Sequence, residues 1–202
     1  EQAKILLQSI PYDGTSTWGK GADRGFEAFL AAAENMELFD IETGTEVYRH
    51  GIHIPEDIAE KRSPEQVYER VRTRTDELLA SGKFLTFFGG EHSVSIGIIE
   101  AFAQHFPGLS VLQMDAHADL RPSYLGSEFN HACAMHRASR QTRLMQVGIR
   151  SMDVSEKQWI DPEKCFFAHE MDPDPTWVER SLSLLGKQVY LSIDLDVLDP
   201  SE

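Results

Sequence analysis

Short apolar runs alternate with amphipathic stretches along most of the chain. The first run, at residues 5–10, ends at Pro11, and from residue 84 onward apolar runs and helix-like segments follow each other regularly. Near-continuous apolar runs are typical of strands buried on both faces of a parallel sheet. The predicted strands span residues 5–10, 84–88, 109–114, 143–149, 165–168 and 188–193. The predicted helices span residues 26–36, 64–81, 93–105, 132–140 and 175–185.

This alternation of strands and helices predicts an α/β fold with a mainly parallel sheet and helices on both faces. In such a fold, ligands bind at the carboxyl ends of the strands. The chain of 202 residues has no internal repeat, low-complexity tract or linker. We therefore expect one domain over residues 1–202.

Side chains that bind metal ions follow three of the predicted strands, at the edge where a ligand is expected. These candidates are His92, Asp115, His117, Asp119, Asp194 and Asp196. In an extended chain, residues two apart point to the same side, so Asp115, His117 and Asp119 can converge. Each motif alone has a plainer interpretation, because an Asp-x-Asp pair often caps a helix or solvates a loop. Three strand ends that all carry ligands are poorly explained by solvation.

Two imidazoles and four carboxylates are more ligands than one octahedral ion can use while it still admits a substrate. Two divalent ions that share bridging carboxylates can use them all, and their charge balances the four carboxylates. Oxygen-rich ligation with some imidazole favours Mn²⁺ over Zn²⁺. A metal pair about 3.5 to 4 Å apart lowers the pKa of a water molecule and orients it as a nucleophile. The set predicts a hydrolase with two Mn²⁺ ions per chain.

Charge and composition argue against several other classes of protein. The chain has 33 acidic and 19 basic residues and a net charge of -14, which disfavours nucleic acid or an anionic membrane and suits a cationic ligand. Cys133 and Cys165 lie far apart without a C-x-x-C pattern, so a reducing, cytoplasmic setting is the simpler interpretation. No run reaches the roughly 20 apolar residues of a membrane span, and residues 5–10 are too short for a signal peptide.

Three motifs resemble, in order and spacing, the signatures of the ureohydrolases, the arginase and agmatinase family. They are Gly-Gly-Glu-His-Ser at residues 89–93, Asp-Ala-His-Ala-Asp at 115–119, and Ser-Ile-Asp-Leu-Asp-Val-Leu-Asp-Pro at 192–200. The resemblance extends to the segment 11–16 and spans essentially the whole chain. It implies a three-layer α/β/α fold, a dinuclear Mn²⁺ centre, and hydrolysis of a guanidino group to urea and an amine.

The resemblance also implies roles for individual residues. The six candidates become the metal ligands, with Asp115 and Asp194 as bridging carboxylates. His131, in the sequence Asn-His-Ala, becomes the histidine that shuttles protons to the leaving amine, a task that suits a pKa near neutrality. The alternative is that His131 merely caps the following helix. Asp153 occupies a position from which the family contacts the distal end of the substrate.

The stretch 120–129 resembles the agmatinase type and departs from the arginase type. Arginases carry Asn and Ser or Thr there, and these residues bind the carboxylate of the amino acid substrate. We therefore favour agmatine as the small guanidino substrate, with urea and the polyamine precursor putrescine as products. The alternatives are guanidinobutyrate, formiminoglutamate or arginine as substrate, or a truncated, non-catalytic metal-binding homologue. Family members commonly form trimers or hexamers, so a homo-oligomer is expected.

The family continues beyond the position of Glu202 with further sheet and helix and with a glutamate that pairs with the guanidinium. Nothing in residues 1–202 replaces that glutamate convincingly. A parallel sheet without its last strands exposes an apolar edge, which is an aggregation hazard. We therefore expect the C-terminal part of the fold to be missing from this chain and the native protein to be longer.

Overall fold

The computed structural model describes residues 3–199 of the chain. Its strands are β1 Ile5–Ile10, β2 Ile52–His53, β3 Phe84–Gly89, β4 Ser110–Met114, β5 Arg143–Ile149, β6 Cys165–Phe167 and β7 Val189–Ile193. Its α-helices are α1 Gly25–Ala33, α2 Pro64–Leu79, α3 Val94–His105, α4 His136–Gln141, α5 Ala168–Met171 and α6 Trp177–Ser183. Short 3₁₀ helices lie at Ala22–Arg24, Val47–His50, His131–Cys133, Val154–Trp159 and Leu195–Val197.

The strands form two parallel sheets, with the orders β2-β1-β3 and β6-β5-β4-β7. In the second sheet, β4 aligns Ser110 with Val189 and Met114 with Ile193, so that β4 and β7 end at the same level. The parallel α/β fold expected from the sequence is confirmed. The mainly parallel sheet is divided, however, since no pairing joins β3 to β7 within residues 3–199.

The division leaves an open edge on each of these two strands. A cleft of about 480 Å³ lies between β3 and β7. Apolar side chains near it are exposed, including Phe84 (71%), Leu191 (51%) and Ile193 (56%). These exposed side chains lie on the two strands that border the gap between the sheets.

Side chains along β5 alternate between the two faces of its sheet, as strand geometry requires. Leu144 packs in one buried cluster with Ile96 of α3. Met145 and Val147 pack in another cluster, against Trp177 of α6. Helices therefore cover both faces, in agreement with the expected three-layer arrangement.

Helix α2 begins where the sequence places it and ends two residues earlier than predicted, at Leu79, with Ala80 rather than Gly82 as its C-cap. Ser63 is the N-cap, and its Oγ accepts a hydrogen bond from the backbone N–H of Gln66 at 3.3 Å. Pro64 occupies the first helical position, where its missing N–H costs nothing. Gly82 follows the C-terminus with a φ of 64°, a conformation that glycine adopts without strain.

Several predicted elements differ in the structure. The helices predicted at residues 26–36 and 175–185 are shorter, at Gly25–Ala33 and Trp177–Ser183, and α5 is not predicted. The predicted helix 132–140 is a 3₁₀ turn at His131–Cys133 followed by α4. Strand β2 is missing from the prediction, since it has only two residues and both are exposed. A strand of that kind carries no apolar run for a sequence pattern to detect.

Both cysteines are free and buried among core side chains. Burial raises the pKa of Cys133 to about 11 and that of Cys165 to about 12, so both thiols stay protonated at neutral pH. They contribute to packing as small apolar groups. Within the described residues, no helix combines the length and the apolar character needed to cross a membrane.

Candidate metal centre

The predicted ligands gather at the carboxyl ends of β3, β4 and β7. Five of the six form two groups of three, and within each group the donor atoms lie within 4.8 Å of one another. The first group is His92, Asp115 and Asp119, and the second is Asp115, His117 and Asp196. Asp115 belongs to both groups. The arrangement therefore provides two adjacent positions for cations that share one carboxylate.

The first group is buried. Nδ1 of His92 lies 2.9 Å from Oδ2 of Asp115 and 2.9 Å from Oδ2 of Asp119, and its Nε2 lies 2.9 Å from Oγ of Ser192. Burial opposes a charged imidazole, yet hydrogen bonds with the two carboxylates raise the pKa of His92 well above its usual value. Burial raises the pKa of Asp119 to about 6. The group therefore holds carboxylates together with bound protons. A metal cation at the same place could replace those protons.

The second group is half-exposed. Nδ1 of His117 lies 2.9 Å from Oδ2 of Asp196 and 3.7 Å from Oδ1 of Asp115. Hydrogen bonds with Asp115 and Asp196 raise the pKa of His117 to about 10. Burial acts against ionisation of Asp115, but hydrogen bonds from His117 and His92 lower the pKa of this carboxyl below its usual range. The shared carboxylate is therefore ionised.

Asp194 lies beside both groups. Its Oδ2 is 4.0 Å from Nδ1 of His92, and burial raises its pKa. Its Oδ1 accepts a hydrogen bond from the backbone N–H of Asp196 at 3.2 Å, and Asp194 is the N-cap of the short helix Leu195–Val197. Asp194 thus stands within reach of the centre, and its role as a second bridging carboxylate stays a prediction.

The segment 115–119 does not remain extended as far as Asp119. Asp119 has a φ of 52°, in the left-handed region, where a non-glycine residue costs roughly 1 to 3 kcal/mol. This bend sends Asp119 to His92, while His117 joins Asp196. The backbone is fixed there by the N–H of Met135, which donates to the carbonyl of Asp119 at 2.9 Å.

Two buried glutamines orient the shared carboxylate. Nε2 of Gln113 donates to Oδ2 of Asp115 at 2.8 Å and to the carbonyl of His117 at 3.1 Å. Nε2 of Gln146 in turn donates to Oε1 of Gln113 at 2.7 Å. Neither glutamine is among the site residues predicted from the sequence. Their signal is a polar residue inside an otherwise apolar strand, which must find partners when buried.

Residues at the end of β5 fix the segment after β7 against the centre. Gly148 has a φ of 90°, and a Cβ atom there would lie 2.7 Å from Cγ2 of Val197 and 3.2 Å from the carbonyl oxygen of Asp115. Only glycine allows this close approach. The guanidinium of Arg150 donates to the carbonyls of Asp196, Val197 and Leu198, the last two at 3.2 and 3.0 Å. These contacts position Asp196.

A cleft of about 650 Å³ opens over the two groups. Among residues 3–199, one arginine lines it, Arg121, and its guanidinium is already paired. Nη2 lies 3.7 Å from Oδ2 of Asp153, and Nε lies 3.8 Å from Oε2 of Glu156. The guanidinium also covers the ring of Tyr124, 4.5 Å from its centroid. The cleft is therefore strongly acidic. Its lining carboxylates are Glu91, Asp119, Asp153, Glu156, Asp194 and Asp196.

Asp153 and Glu156 form a capping box at the start of the short helix Val154–Trp159. Oδ1 of Asp153 accepts from the backbone N–H of Ser155 at 2.9 Å, and hydrogen bonds from Ser155 lower the pKa of Asp153. Glu156 is buried, and its carboxylate accepts from the backbone N–H groups of Leu120 and Asp153 at 2.7 and 2.6 Å. Glu156 is not among the site residues predicted from the sequence, although the Asp-x-x-Glu spacing is typical of such a box.

His131 lines the cleft near these groups. His131 is the first residue of the short helix His131–Cys133, and that helix is capped by Asn130, whose Oδ1 accepts from the backbone N–H of Ala132 at 3.2 Å. The interpretation of His131 as a mere helix cap is therefore wrong. Nδ1 of His131 lies 3.1 Å from Oγ1 of Thr15, and burial lowers the pKa of the imidazole below its usual value.

Residues 3–202 match the family model described as the arginase family. The chain belongs to the arginase family. It is 35% identical to an N(1)-aminopropylagmatine ureohydrolase from Thermus thermophilus and 31% identical to an agmatinase from Bacillus anthracis. Each match covers 100% of this chain and 70% of the relative. Membership of the arginase family confirms the resemblance stated above and makes the chain a hydrolase of guanidino C–N bonds.

The fold of this arginase-family member is shared by solved structures. The structure of an agmatine ureohydrolase from Thermoplasma volcanium superimposes with a TM-score of 0.86 at 28% identity, and covers 99% of this chain and 69% of that one. The agreement extends over both sheets and all the segments that carry the candidate ligands. It confirms the arginase-like α/β fold.

Proposed function

We propose that this arginase-family hydrolase cleaves the guanidino group of agmatine to urea and putrescine, with two Mn²⁺ ions bound by the six candidate ligands. The observation that carries the proposal is the acidic cleft above two ligand groups that share Asp115. An acidic cleft attracts a cationic guanidinium compound, and the groups beneath it have the donor atoms of a metal centre.

The donor set fits Mn²⁺. The candidate ligands offer only carboxylate oxygen and imidazole nitrogen, without thiolate, which favours a hard ion of octahedral habit. His92, Asp115 and His117 have protons or hydrogen bonds at the atoms that would coordinate the ions, so binding would release protons. When bound, such ions would lower the pKa of a coordinated water molecule, which would provide a nucleophile at neutral pH.

His131 supplies the acid in this proposal. The amine leaves the guanidinium carbon only if its nitrogen is protonated as the C–N bond breaks. His131 lines the cleft, and burial lowers the pKa of its imidazole, so the proton is easily given up once bound. Asp153 lines the same cleft and is our candidate for contact with the distal amine of the substrate.

Charge favours a decarboxylated substrate over arginine. In the metal-loaded site, the six lining carboxylates and Asp115 contribute seven negative charges. Two divalent ions and Arg121 contribute five positive charges, so two negative charges remain. Agmatine carries two positive charges. Arginine carries a carboxylate in addition, and the single lining arginine is already paired with Asp153 and Glu156.

A second candidate substrate is N(1)-aminopropylagmatine. The relative from Thermus thermophilus, 35% identical over the whole chain, is named for hydrolysis of this compound. The extra aminopropyl group adds a further positive charge, which an acidic cleft of about 650 Å³ also suits. The chemistry at the guanidino carbon is the same for both substrates.

The proposed setting is the cytoplasm, with a role in polyamine biosynthesis and a homo-oligomeric assembly. The agmatinase names of two relatives support the polyamine role. Two buried free cysteines are compatible with a reducing compartment.

The test is urea release by the chain after preincubation with Mn²⁺, with agmatine, N(1)-aminopropylagmatine, arginine and guanidinobutyrate assayed in parallel. We expect kcat/KM for one of the two agmatine compounds to exceed that for arginine by roughly 10²-fold, because a substrate carboxylate meets like charge in the cleft. Preference for arginine would overturn the substrate assignment. Urea from none of the four, despite bound Mn²⁺, would favour the non-catalytic metal-binding alternative.

A further inference from the structure

The hydroxyl of Thr15 stands at a three-way contact beside the cleft. Its Oγ1 lies 2.9 Å from Oε1 of Glu91, 3.1 Å from Nδ1 of His131 and 3.0 Å from the backbone nitrogen of His131. Thr15 is buried, with 8% of its surface exposed. It follows β1, Glu91 follows β3, and His131 lies on its own short helix, so the contact joins three separate parts of the chain.

The proton of this hydroxyl can be located by counting donors and acceptors. A threonine hydroxyl has one proton to donate and two lone pairs to accept with. The backbone N–H of His131 can only donate, and an ionised Glu91 can only accept. The hydroxyl therefore donates to Glu91 and accepts from the backbone N–H. Its second lone pair faces Nδ1 of His131, which must then carry a proton.

The surroundings of Glu91 agree with this count. Oε2 of Glu91 accepts from the backbone N–H of Ser93 at 2.9 Å, and Oε1 accepts from the hydroxyl of Ser93 at 2.7 Å. With Thr15, three donors point at this carboxylate, as an ionised group requires. If the hydroxyl of Thr15 turned to donate to Nδ1 instead, Glu91 would lose one of these bonds. The ring of His131 also meets Tyr124 edge-on, with 6.1 Å between centroids, which restricts its rotation.

We propose that Thr15 is a positioning residue that, together with Glu91, fixes neutral His131 as the tautomer with its proton on Nδ1. Nε2 is then the nitrogen that exchanges protons in the cleft. This inference rests on the proposed role of His131 as proton donor. In that role the doubly protonated imidazole gives its Nε2 proton to the leaving nitrogen. The C–N bond breaks at the same time, and the electron pair of that bond moves to the leaving nitrogen. The imidazole returns to the Nδ1–H tautomer, and solvent restores the proton.

The tautomer can be read directly by ¹H–¹⁵N NMR of the ¹⁵N-histidine-labelled chain without metal, above the pKa of His131. The resonance is assigned by its loss in His131→Ala. We expect Nδ1 protonated and Nε2 bare in the wild type and in Thr15→Ser, which keeps the hydroxyl. Thr15→Val removes the hydroxyl and should mix the two tautomers. Glu91→Gln, which replaces an acceptor by a group that can donate, should shift the proton towards Nε2.

The same variants have a kinetic signature. We expect Thr15→Val to lower kcat by about 10- to 100-fold with KM changed less than about threefold, and Thr15→Ser to stay within about threefold of wild type. Thr17→Val, the same change at an exposed position two residues away, should leave the His131 tautomer unchanged.

An Nε2–H tautomer in the wild type, or an unchanged tautomer in both Thr15→Val and Glu91→Gln, would overturn the inference. Should Thr15→Val not fold, the wild-type spectrum and Glu91→Gln still decide. The NMR measurement needs no turnover. If the wild type releases no urea from any guanidine, the proposed function fails, while the tautomer result still decides the role of Thr15.

Discussion

The two ligand groups around Asp115 use the same kinds of side chain in different environments. In the first group, the side chains of His92 and Asp119 are 6% and 10% exposed. In the second, those of His117 and Asp196 are 53% and 44% exposed. In the first group, burial raises the pKa of Asp119 to about 6. Hydrogen bonding dominates the second, where it raises the pKa of His117 to about 10.

This difference predicts that the two positions of the proposed metal centre bind their ions differently. The buried group is surrounded by core side chains, and Ser192 contacts the outer nitrogen of His92. Its geometry is therefore fixed before any ion arrives. The half-exposed group opens to the cleft and to solvent. We expect the buried position to bind Mn²⁺ more tightly and the exposed position to exchange its ion more readily.

The largest effect is expected from Asp115→Asn, because this residue is the only one that both groups share. The variant keeps the shape of the side chain but removes its charge. We expect fewer than about one Mn²⁺ per chain and a loss of urea release of about 10³-fold or more. Metal content by atomic absorption after dialysis checks this. Asp172→Asn, at an exposed position, is the matched control and should keep two bound ions. Two bound ions in Asp115→Asn would contradict a shared carboxylate.

His117→Ala separates the two positions. It removes a ligand from the exposed group and leaves His92, Asp115 and Asp119 in place. We expect the stoichiometry to fall from about two ions to about one and urea release to fall by about 10²-fold. Equilibrium dialysis with Mn²⁺ measures the stoichiometry. Loss of both ions, or of neither, would show that the groups do not act as separate positions.

Gln113→Leu tests how the shared carboxylate is oriented. The variant removes the buried donor to Oδ2 of Asp115 and one of the two acceptors of Gln146, and it leaves His92 as the remaining partner of that oxygen. We expect the free energy of unfolding to fall by about 1 to 3 kcal/mol and Mn²⁺ affinity to fall by about 10- to 100-fold. Urea denaturation and Mn²⁺ titration measure these two quantities.

Gln8→Leu is the matched control for Gln113→Leu. Gln8 is equally buried on β1, and its Nε2 donates to the carbonyls of Ser9 and Glu56. We expect a similar loss of stability with Mn²⁺ affinity unchanged. Equal losses of affinity in both variants would mean that Gln113 acts through general stability alone.

The smallest effect concerns pH. The folded pKa of His117, about 10, lies above its unfolded value of roughly 6.5. In the metal-free chain its contribution to stability is therefore complete below about pH 6.5 and is lost as the pH rises through about 10. Mn²⁺ must displace this proton, so its affinity should rise up to about tenfold from pH 7 to pH 8.

Calorimetry in two buffers of different ionisation enthalpy measures the proton release that accompanies Mn²⁺ binding. We expect about one proton from His117 per ion bound at the exposed group at pH 7.5. Binding without proton release, and with an affinity independent of pH, would exclude His117 as a ligand.

Much of the site can be predicted from the sequence because its residues follow strands. Asp115, His117 and Asp119 directly follow an apolar run, and parallel topology brings the carboxyl ends of such runs together. The separate roles of His117 and Asp119 cannot be predicted this way. They depend on the left-handed conformation of Asp119, which is fixed by Met135, sixteen positions along the chain.

The remaining features arise from contacts between distant segments. Thr15 meets Glu91 across 76 positions and His131 across 116. No local pattern reports such pairings. The division into two sheets also cannot be predicted in this way. Apolar periodicity identifies the strands but does not say which strands pair with β3 and β7.

Electron paramagnetic resonance of the chain loaded with two equivalents of Mn²⁺ tests the central claim most directly. Two Mn²⁺ ions that share Asp115 lie close enough for their spins to couple, so we predict the spectrum of an exchange-coupled pair. In Asp115→Asn this signal should be absent. A spectrum of isolated Mn²⁺ ions at every loading of the wild type would contradict a shared centre.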